Sequence, residues 1–256
     1  MVSVPFCYAL KDTQLYSYFP AKDRWTVVSL EVGFTIGSET AVIQLCASRL
    51  FAVPPRSDPP FVVTVEDGSV EIQPRLLRPR HFLGLCLYQE CVYAFGGRRC
   101  FQPSKLCERF PLHSTTWLPL PDCIQARQAF NPVLFQQLLY LPNGQNETIE
   151  TFHPVSELFT LLPCRTGLTN TSASLILGHQ LLVFGLTGCY TLDLKTQEGV
   201  KKDYSAALDT VWSQYQPVVY RGEMALVWPY ADKWSVGFVA LQSLAVRAVK
   251  MPKRPS

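Results

Sequence analysis

The side chains best suited to chemistry in this sequence are nine cysteines and four histidines. Cysteine and histidine bind zinc or act as nucleophile and base, but only at particular spacings. No C-x2-C pair, H-E-x-x-H motif or G-x-S-x-G motif occurs in the chain. The histidines lie far apart, at His81, His113, His153 and His179. We therefore predict a noncatalytic protein, with no catalytic residue, no bound metal and no cofactor.

Most of the cysteines lie inside apolar, strand-like stretches of the sequence. This use is typical of buried, reduced thiols in a cytosolic protein rather than of a disulfide framework. Cys100 and Cys107 bracket a short loop, so a disulfide or a metal site there is an alternative. Because no further cysteine or histidine stands at ligand spacing, two separate thiols are the favoured interpretation.

Arginine offers a different kind of chemistry, because its planar guanidinium binds carboxylate and phosphate groups with two hydrogen bonds. Several arginines and one histidine fall in predicted loops that emerge on one face of the fold. We predict that these side chains bind partner proteins, through acidic or phosphorylated segments: Arg56, Arg80, His81, Arg98, Arg99, Arg127 and Arg165.

Composition limits the class of protein. The chain has 256 residues, 48% of them hydrophobic and 17% charged, and a formal net charge of +3. That charge is too small to argue for nucleic-acid binding by itself. The first residues lack the pattern of a secretory signal, and no apolar run reaches the ~18 residues of a membrane span. We predict a cytoplasmic protein that binds neither nucleic acid nor membrane.

The best-ordered pattern runs from residue 80 to residue 127 and predicts four short strands. Each strand is rich in aromatic or branched residues, and each ends at glycine, proline or polar residues. Gly96 and Gly97 end the second strand, where two glycines permit positive φ in a sharp turn. Trp117 opens the fourth strand and is placed to pack between neighbouring sheets.

Comparable positions recur along the chain at intervals of 41 to 47 residues: Trp25, Val70, Trp117, Phe159, Val200 and Leu244. That period is typical of a four-stranded propeller blade. We predict a single all-β domain over residues 1–250, followed by a basic tail at 251–256. Six blades would fill it, the first lacking its innermost strand, with limits near 1–37, 38–78, 79–126, 127–166, 167–206 and 207–250.

The glycine pair, the aromatic near the third strand and the tryptophan in the fourth resemble a kelch repeat. The resemblance implies a kelch-type β-propeller in which the consensus residues are structural: Trp25, Gly96, Gly97, Trp117, Gly144 and Gly185. It also implies a scaffold that binds proteins through its loops, either as the substrate-binding subunit of a ubiquitin ligase or as a cytoskeletal scaffold. The alternative is an enzyme or sugar-binding protein similar to kelch-type mutarotases and copper oxidases.

Overall fold

A computed structural model describes residues 7–19, 24–37, 39–55, 58–142, 147–168, 173–185, 188–203, 217–220, 223–230, 233–240 and 246–250. The described residues form β-strands joined by turns and contain no α-helix. The described ranges therefore include no helix that is long and apolar enough to span a membrane. The all-β prediction is confirmed.

The strands form successive antiparallel sheets, each a meander in chain order. The first sheet has three strands, β1 (Cys7–Lys11), β2 (Gln14–Phe19) and β3 (Arg24–Ser29). The second has four, β4 (Ala41–Cys46), β5 (Arg49–Val53), β6 (Phe61–Thr64) and β7 (Val70–Ile72).

The third sheet carries an added hairpin. Its four strands are β8 (Gly84–Tyr88), β9 (Cys91–Phe95), β12 (Cys107–Pro111) and β13 (Leu118–Leu120). The hairpin lies between β9 and β12 in the sequence and consists of β10 (Arg98–Arg99) and β11 (Gln102–Pro103). The fourth sheet comprises β14 (Val133–Phe135), β15 (Leu138–Leu141), β16 (Thr148–His153) and β17 (Leu158–Arg165).

Two further four-stranded sheets complete the set. The fifth contains β18 (Ala173–Leu177), β19 (Gln180–Phe184), β20 (Gly188–Asp193) and β21 (Gly199–Asp203). The sixth contains β22 (Val218–Tyr220), β23 (Glu223–Tyr230), β24 (Lys233–Ala240) and β25 (Val246–Lys250). The described residues thus form five four-stranded blades, where the sequence predicts six, and one three-stranded sheet at the start.

Neighbouring sheets pack side by side into a β-propeller. Strand β8 lies between β4 and β14, and β14 lies beside β18, so the first strands of consecutive blades are adjacent. Strand β1 contacts β23, which makes the first and last sheets neighbours as well. A ring of this kind leaves only short sheet edges open to other chains.

The hydrophobic core is divided into layers between consecutive sheets. Leu15 and Phe61 lie between the first and second sheets, and Phe51 and Trp117 between the second and third. Strands within a blade differ in burial: β9, a second strand, is buried at all five positions, whereas β21, a fourth strand, is exposed throughout and carries lysines. Charged outer strands of this type resist edge-to-edge aggregation.

Candidate binding face

Aromatic pairs seven residues apart fix the register of the last two strands in three blades. The ring centroids of Tyr18 and Trp25 are 5.0 Å apart, and those of Phe110 and Trp117 are 5.3 Å apart. In the fourth blade Phe152 lies opposite Phe159, with centroids 4.6 Å apart. The repeated spacing supports the period seen in the sequence.

Trp117 also joins its blade to the one before it. Its ring is 1% exposed, and its Nε1–H donates a hydrogen bond of 2.9 Å to the carbonyl oxygen of Pro74. Trp25, at the same place in the first sheet, is only half-buried. Both rings are therefore occupied with packing, Trp117 the more completely.

In the fifth blade the residue predicted to correspond to Trp117, Val200, is one position too late in the sequence. Leu192 pairs with Gly199, and Val200 is 57% exposed. The ring of Tyr190 occupies the space over Gly199 that a side chain there would need. A tyrosine from the third strand thus fills the volume that an aromatic of the fourth strand fills elsewhere. Leu244, the last of the recurring positions predicted from the sequence, lies outside the described residues.

The glycine pair after β9 sits between two inter-blade connections. Gly96 has φ 58° and Gly97 has φ 102°. A Cβ on Gly96 would lie 2.5 Å from the carbonyl oxygen of Arg127, and one on Gly97 would lie 2.8 Å from that of His81. Any larger residue would push these connections apart. Gly185 is buried after β19, and Gly144 lies outside the described residues.

The predicted partner-binding residue Arg80 is in the interior, so its placement on an exposed loop was wrong. Its side chain is 0% exposed, and Nη1 lies 2.6 Å from Oε1 of Glu108. Arg80 Nε donates to the carbonyl oxygen of Gly96 at 2.7 Å, and Nη1 donates to that of Arg78 at 2.9 Å. Glu108 accepts further hydrogen bonds from the main-chain N–H groups of Leu77 and Arg78.

Arg127 repeats this arrangement one blade later, and its predicted exposure was equally wrong. Its Nη2 lies 2.5 Å from Oε1 of Glu150, and both side chains are 0% exposed. Its Nη1 donates to the carbonyl oxygens of Leu141 and Pro142, and its guanidinium stacks on Phe130 at 5.5 Å. Ordinary loop charges stay in water, but these two guanidiniums pair with carbonyls that strand ends leave unpaired.

Two other predicted residues come together beside the glycine pair. The main chains of His81 and Arg98 exchange hydrogen bonds of 3.2 and 2.6 Å. Both side chains are half-buried, and Arg99 next to them is exposed. Arg165 is exposed at the end of β17, on another blade, and Arg56 lies outside the described residues. The predicted set is thus partly assembled, around the β10–β11 hairpin.

The tip of the β10–β11 hairpin presents an aromatic side chain to solvent. Phe101 is 81% exposed, and the guanidinium of Arg98 lies over its ring at 5.6 Å from the centroid. Cys100 and Phe101 have φ of 48° and 65°, the left-handed values that a tight two-residue turn requires. Sequence analysis missed Phe101, although an aromatic residue in a short polar segment after a glycine pair was a usable signal.

The base of this hairpin is fixed on both sides. The N–H of Ser104 donates to the carbonyl oxygen of Gly97 at 2.8 Å, and the N–H of Arg127 donates to that of Ser104 at 3.1 Å. The hairpin therefore projects from the junction of the third and fourth blades. Arg98, Arg99 and Phe101 stand together on this projection, which we call the hairpin tip.

Comparison with curated proteins finds similarity to Kelch repeat and BTB domain-containing protein 2 of Ectromelia virus (strain Moscow). The two are 22% identical over 98 residues, which cover 38% of this chain and 17% of the viral protein. No protein-family model matches the chain. This similarity agrees with two features of the structure, the ring of four-stranded sheets and the glycine pair that ends β9. The chain is a β-propeller with similarity to a kelch-repeat protein.

The centre of the propeller holds a cavity of about 430 Å³ lined by the first strands of the five four-stranded sheets. Its lining is largely apolar and includes Ile43, Leu87, Leu134, Leu175 and Val219. Burial raises the pKa of Cys86, whose thiol lies on this lining, to about 12. That thiol stays protonated at neutral pH and is a poor nucleophile.

The other three histidines lie apart, each beside different neighbours. His113 is 3.7 Å from Glu90, His179 is 3.0 Å from Asp193, and His153 contacts Ser156. Hydrogen bonds from main-chain N–H groups, with a smaller contribution from His179, lower the pKa of Asp193. Within the described ranges no three His, Cys, Asp or Glu side chains are grouped as metal ligands.

Proposed function

We propose that this chain is a noncatalytic protein-interaction module that binds partners through the hairpin tip and the loops beside it. The observation that carries the proposal is the exposure of Phe101, at 81% the highest among the described large hydrophobic residues. Exposed aromatic residues next to arginine are the residue types that supply most binding energy at protein interfaces.

Charge supports an acidic partner. Among the described residues, neither Arg98 nor Arg99 forms an ion pair with a carboxylate. Lys105, directly beyond the hairpin, is exposed. A carboxylate or phosphate of the partner would pair with the exposed side chains of Arg99 and Lys105 and gain charge-assisted hydrogen bonds.

The shape of the hairpin tip supports the same proposal. Its base is hydrogen-bonded to Gly97 and Arg127, so little conformational freedom is lost when a partner binds. A projecting aromatic ring flanked by guanidiniums fits an apolar recess bordered by acidic groups. We propose acidic or phosphorylated segments containing an apolar side chain as the class of ligand.

The cellular role that we propose is that of a substrate-binding kelch subunit of a ubiquitin ligase, or of a cytoskeletal scaffold. The name of the viral relative joins kelch repeats with a BTB domain. The kelch resemblance implies that such propellers bind substrates while a separate domain contacts the ligase. A cytoplasmic location is part of the proposal, as both roles require.

Fluorescence anisotropy with labelled peptides tests the ligand class. The probes are an acidic peptide with one leucine, its phosphorylated form and a neutral peptide of the same length. We expect the acidic peptides to bind more tightly than the neutral one, and to weaken as salt rises from 50 to 500 mM. Arg99→Ala/Phe101→Ala should lose at least tenfold in affinity, whereas the matched surface variant Val200→Ala/Lys202→Ala should not. Equal affinity of all three peptides would refute the ligand class.

A further inference from the structure

Two buried thiols meet at the junction of the third and fourth blades. The Sγ atoms of Cys107 and Cys123 are 3.2 Å apart, and the residues are 3% and 2% exposed. Cys107 lies on β12, and Cys123 lies in the connection that follows β13. No other cysteine pair comes this close in the described part of the chain.

The main chain holds the two sulfurs toward each other. The carbonyl oxygen of Lys105 accepts the N–H of Cys123 at 2.9 Å and the S–H of Cys107 at 3.2 Å. Cys107 also pairs with Leu120 across the β12–β13 hairpin, which sets the register just before Cys123. A disulfide has an S–S distance of about 2.05 Å, so closure requires the sulfurs to approach by about 1.2 Å.

We propose that Cys107 and Cys123 form an oxidative modification site, which closes to an intramolecular disulfide when the protein meets a disulfide oxidant such as oxidised glutathione. The Cys123 thiolate attacks one glutathione sulfur and displaces the other half as a thiolate. The Cys107 thiolate then attacks the Cys123 sulfur and displaces the second glutathione. The two protein thiols give up two electrons and two protons, which appear in two molecules of reduced glutathione.

Access makes this reaction slower than oxidation of the exposed cysteines. A hydrogen bond with the Cys107 thiol, and then burial, raise the pKa of Cys123 above its ordinary value. Ser48 instead lowers the pKa of the exposed thiol of Cys46. The oxidant reaches Cys123 when its connection opens, and both neighbours of Cys123 in that connection, Asp122 and Ile124, are exposed. The order of reaction is therefore surface thiols first and the buried pair later.

The disulfide would strengthen the junction between two blades. The N–H groups of Ile124 and Gln125 donate to the carboxylate of Glu150 at 3.1 and 2.6 Å. A bond at Cys123 would tie this segment to β12 and so hold the third blade against the fourth. Since the two cysteines are 16 positions apart in the sequence and their bond would close a loop, oxidation should raise the melting temperature.

Peptide mapping of the full chain tests the site directly. Reduced protein is incubated with oxidised glutathione, blocked with N-ethylmaleimide and digested with trypsin. Trypsin cleaves after Lys105, Arg109 and Arg127 and separates the two cysteines. We expect peptides 106–109 and 110–127 to be joined as the main protein disulfide, and Tm to rise by roughly 5 °C or more. Dithiothreitol should reverse both changes.

Cysteine variants distinguish a disulfide between Cys107 and Cys123 from oxidation of the exposed cysteines. Cys46→Ser/Cys100→Ser should keep the linked peptides and the gain in Tm, while Cys107→Ala and Cys123→Ala should each lose both. Because mapping of the wild-type chain needs no variant, a poorly folded alanine variant does not weaken the test. Separate glutathione adducts on the two cysteines, a main disulfide elsewhere, or an unchanged Tm after linkage would overturn the proposal.

Discussion

The guanidinium of Arg127 lies 2.5 Å from the carboxylate of Glu150 with both side chains sealed from solvent, and Arg80 and Glu108 repeat this relationship one blade earlier. In each pair the glutamate also accepts two main-chain N–H groups of the connection leading into its own blade. A buried charge is tolerated only when it is paired and hydrogen-bonded in this way. The two pairs therefore fix the inter-blade connections on which the hairpin rests.

Breaking one pair should destabilise the protein strongly. Arg127→Met leaves Glu150 as an uncompensated buried charge, which costs about 3–5 kcal/mol. Adding Glu150→Gln removes that charge, so the double variant should be more stable than Arg127→Met alone. Unfolding in urea measures both. Arg165→Met, at an exposed position, is the control and should change stability by no more than about 0.5 kcal/mol. Equal losses for Arg127→Met and Arg165→Met would contradict the assigned role.

The glycine pair gives a second prediction, on steric grounds. Gly96 and Gly178 have nearly the same φ, 58° and 62°, but only Gly96 has backbone where a Cβ would stand. Gly178→Ala should cost about 1 kcal/mol from the left-handed conformation alone. Gly96→Ala should cost about 2 kcal/mol more, because the carbonyl of Arg127 must move to relieve the steric overlap. Thermal unfolding compares the two variants. Similar Tm values would show that the clash is relieved at no cost.

Replacing the turn of the hairpin should separate stability from binding. Cys100 and Phe101 hold left-handed conformations that favour Asn-Gly, and each costs on the order of 1 kcal/mol. Cys100→Asn/Phe101→Gly relieves this strain and loses an exposed cation–π contact of about 0.5–1 kcal/mol. We expect Tm to rise slightly while affinity for acidic peptides falls. A lower Tm would mean that the turn is not strained.

The strands and their period could be predicted from the sequence because both depend on local patterns. Alternating apolar residues and turn-forming residues mark β4 to β7 even where Pro54 and Pro55 replace a glycine pair. The residue equivalent to Trp117 was wrongly predicted in the fifth blade, because that position is Gly199 and the ring of Tyr190, on the neighbouring strand, fills the space above it. When a residue on one strand fills the space beside a glycine on the next strand, the contact is between strands, and the spacing of residues along the sequence does not reveal it.

The buried arginines were misassigned for a related reason. Arg80 stands 28 residues from Glu108 in the sequence, and its neighbours are proline and histidine, as in an ordinary loop. The usable signal was the glutamate, since Glu108 and Glu150 occupy equivalent places within apolar strands. A repeated acidic residue in a buried strand requires a cation, and arginines lie in the connections that lead into both of these blades.

Affinity purification from native cells with quantitative mass spectrometry tests the central claim most directly. The wild-type chain, Arg99→Ala/Phe101→Ala and Val200→Ala/Lys202→Ala are compared at equal expression. The interaction-module account predicts a defined set of enriched proteins that falls at least tenfold with the hairpin variant and is retained by the surface control. Recovery of a cullin or its adaptors would support the ligase role, and cytoskeletal proteins the scaffold role. Unchanged recovery of every partner by the hairpin variant would contradict the account.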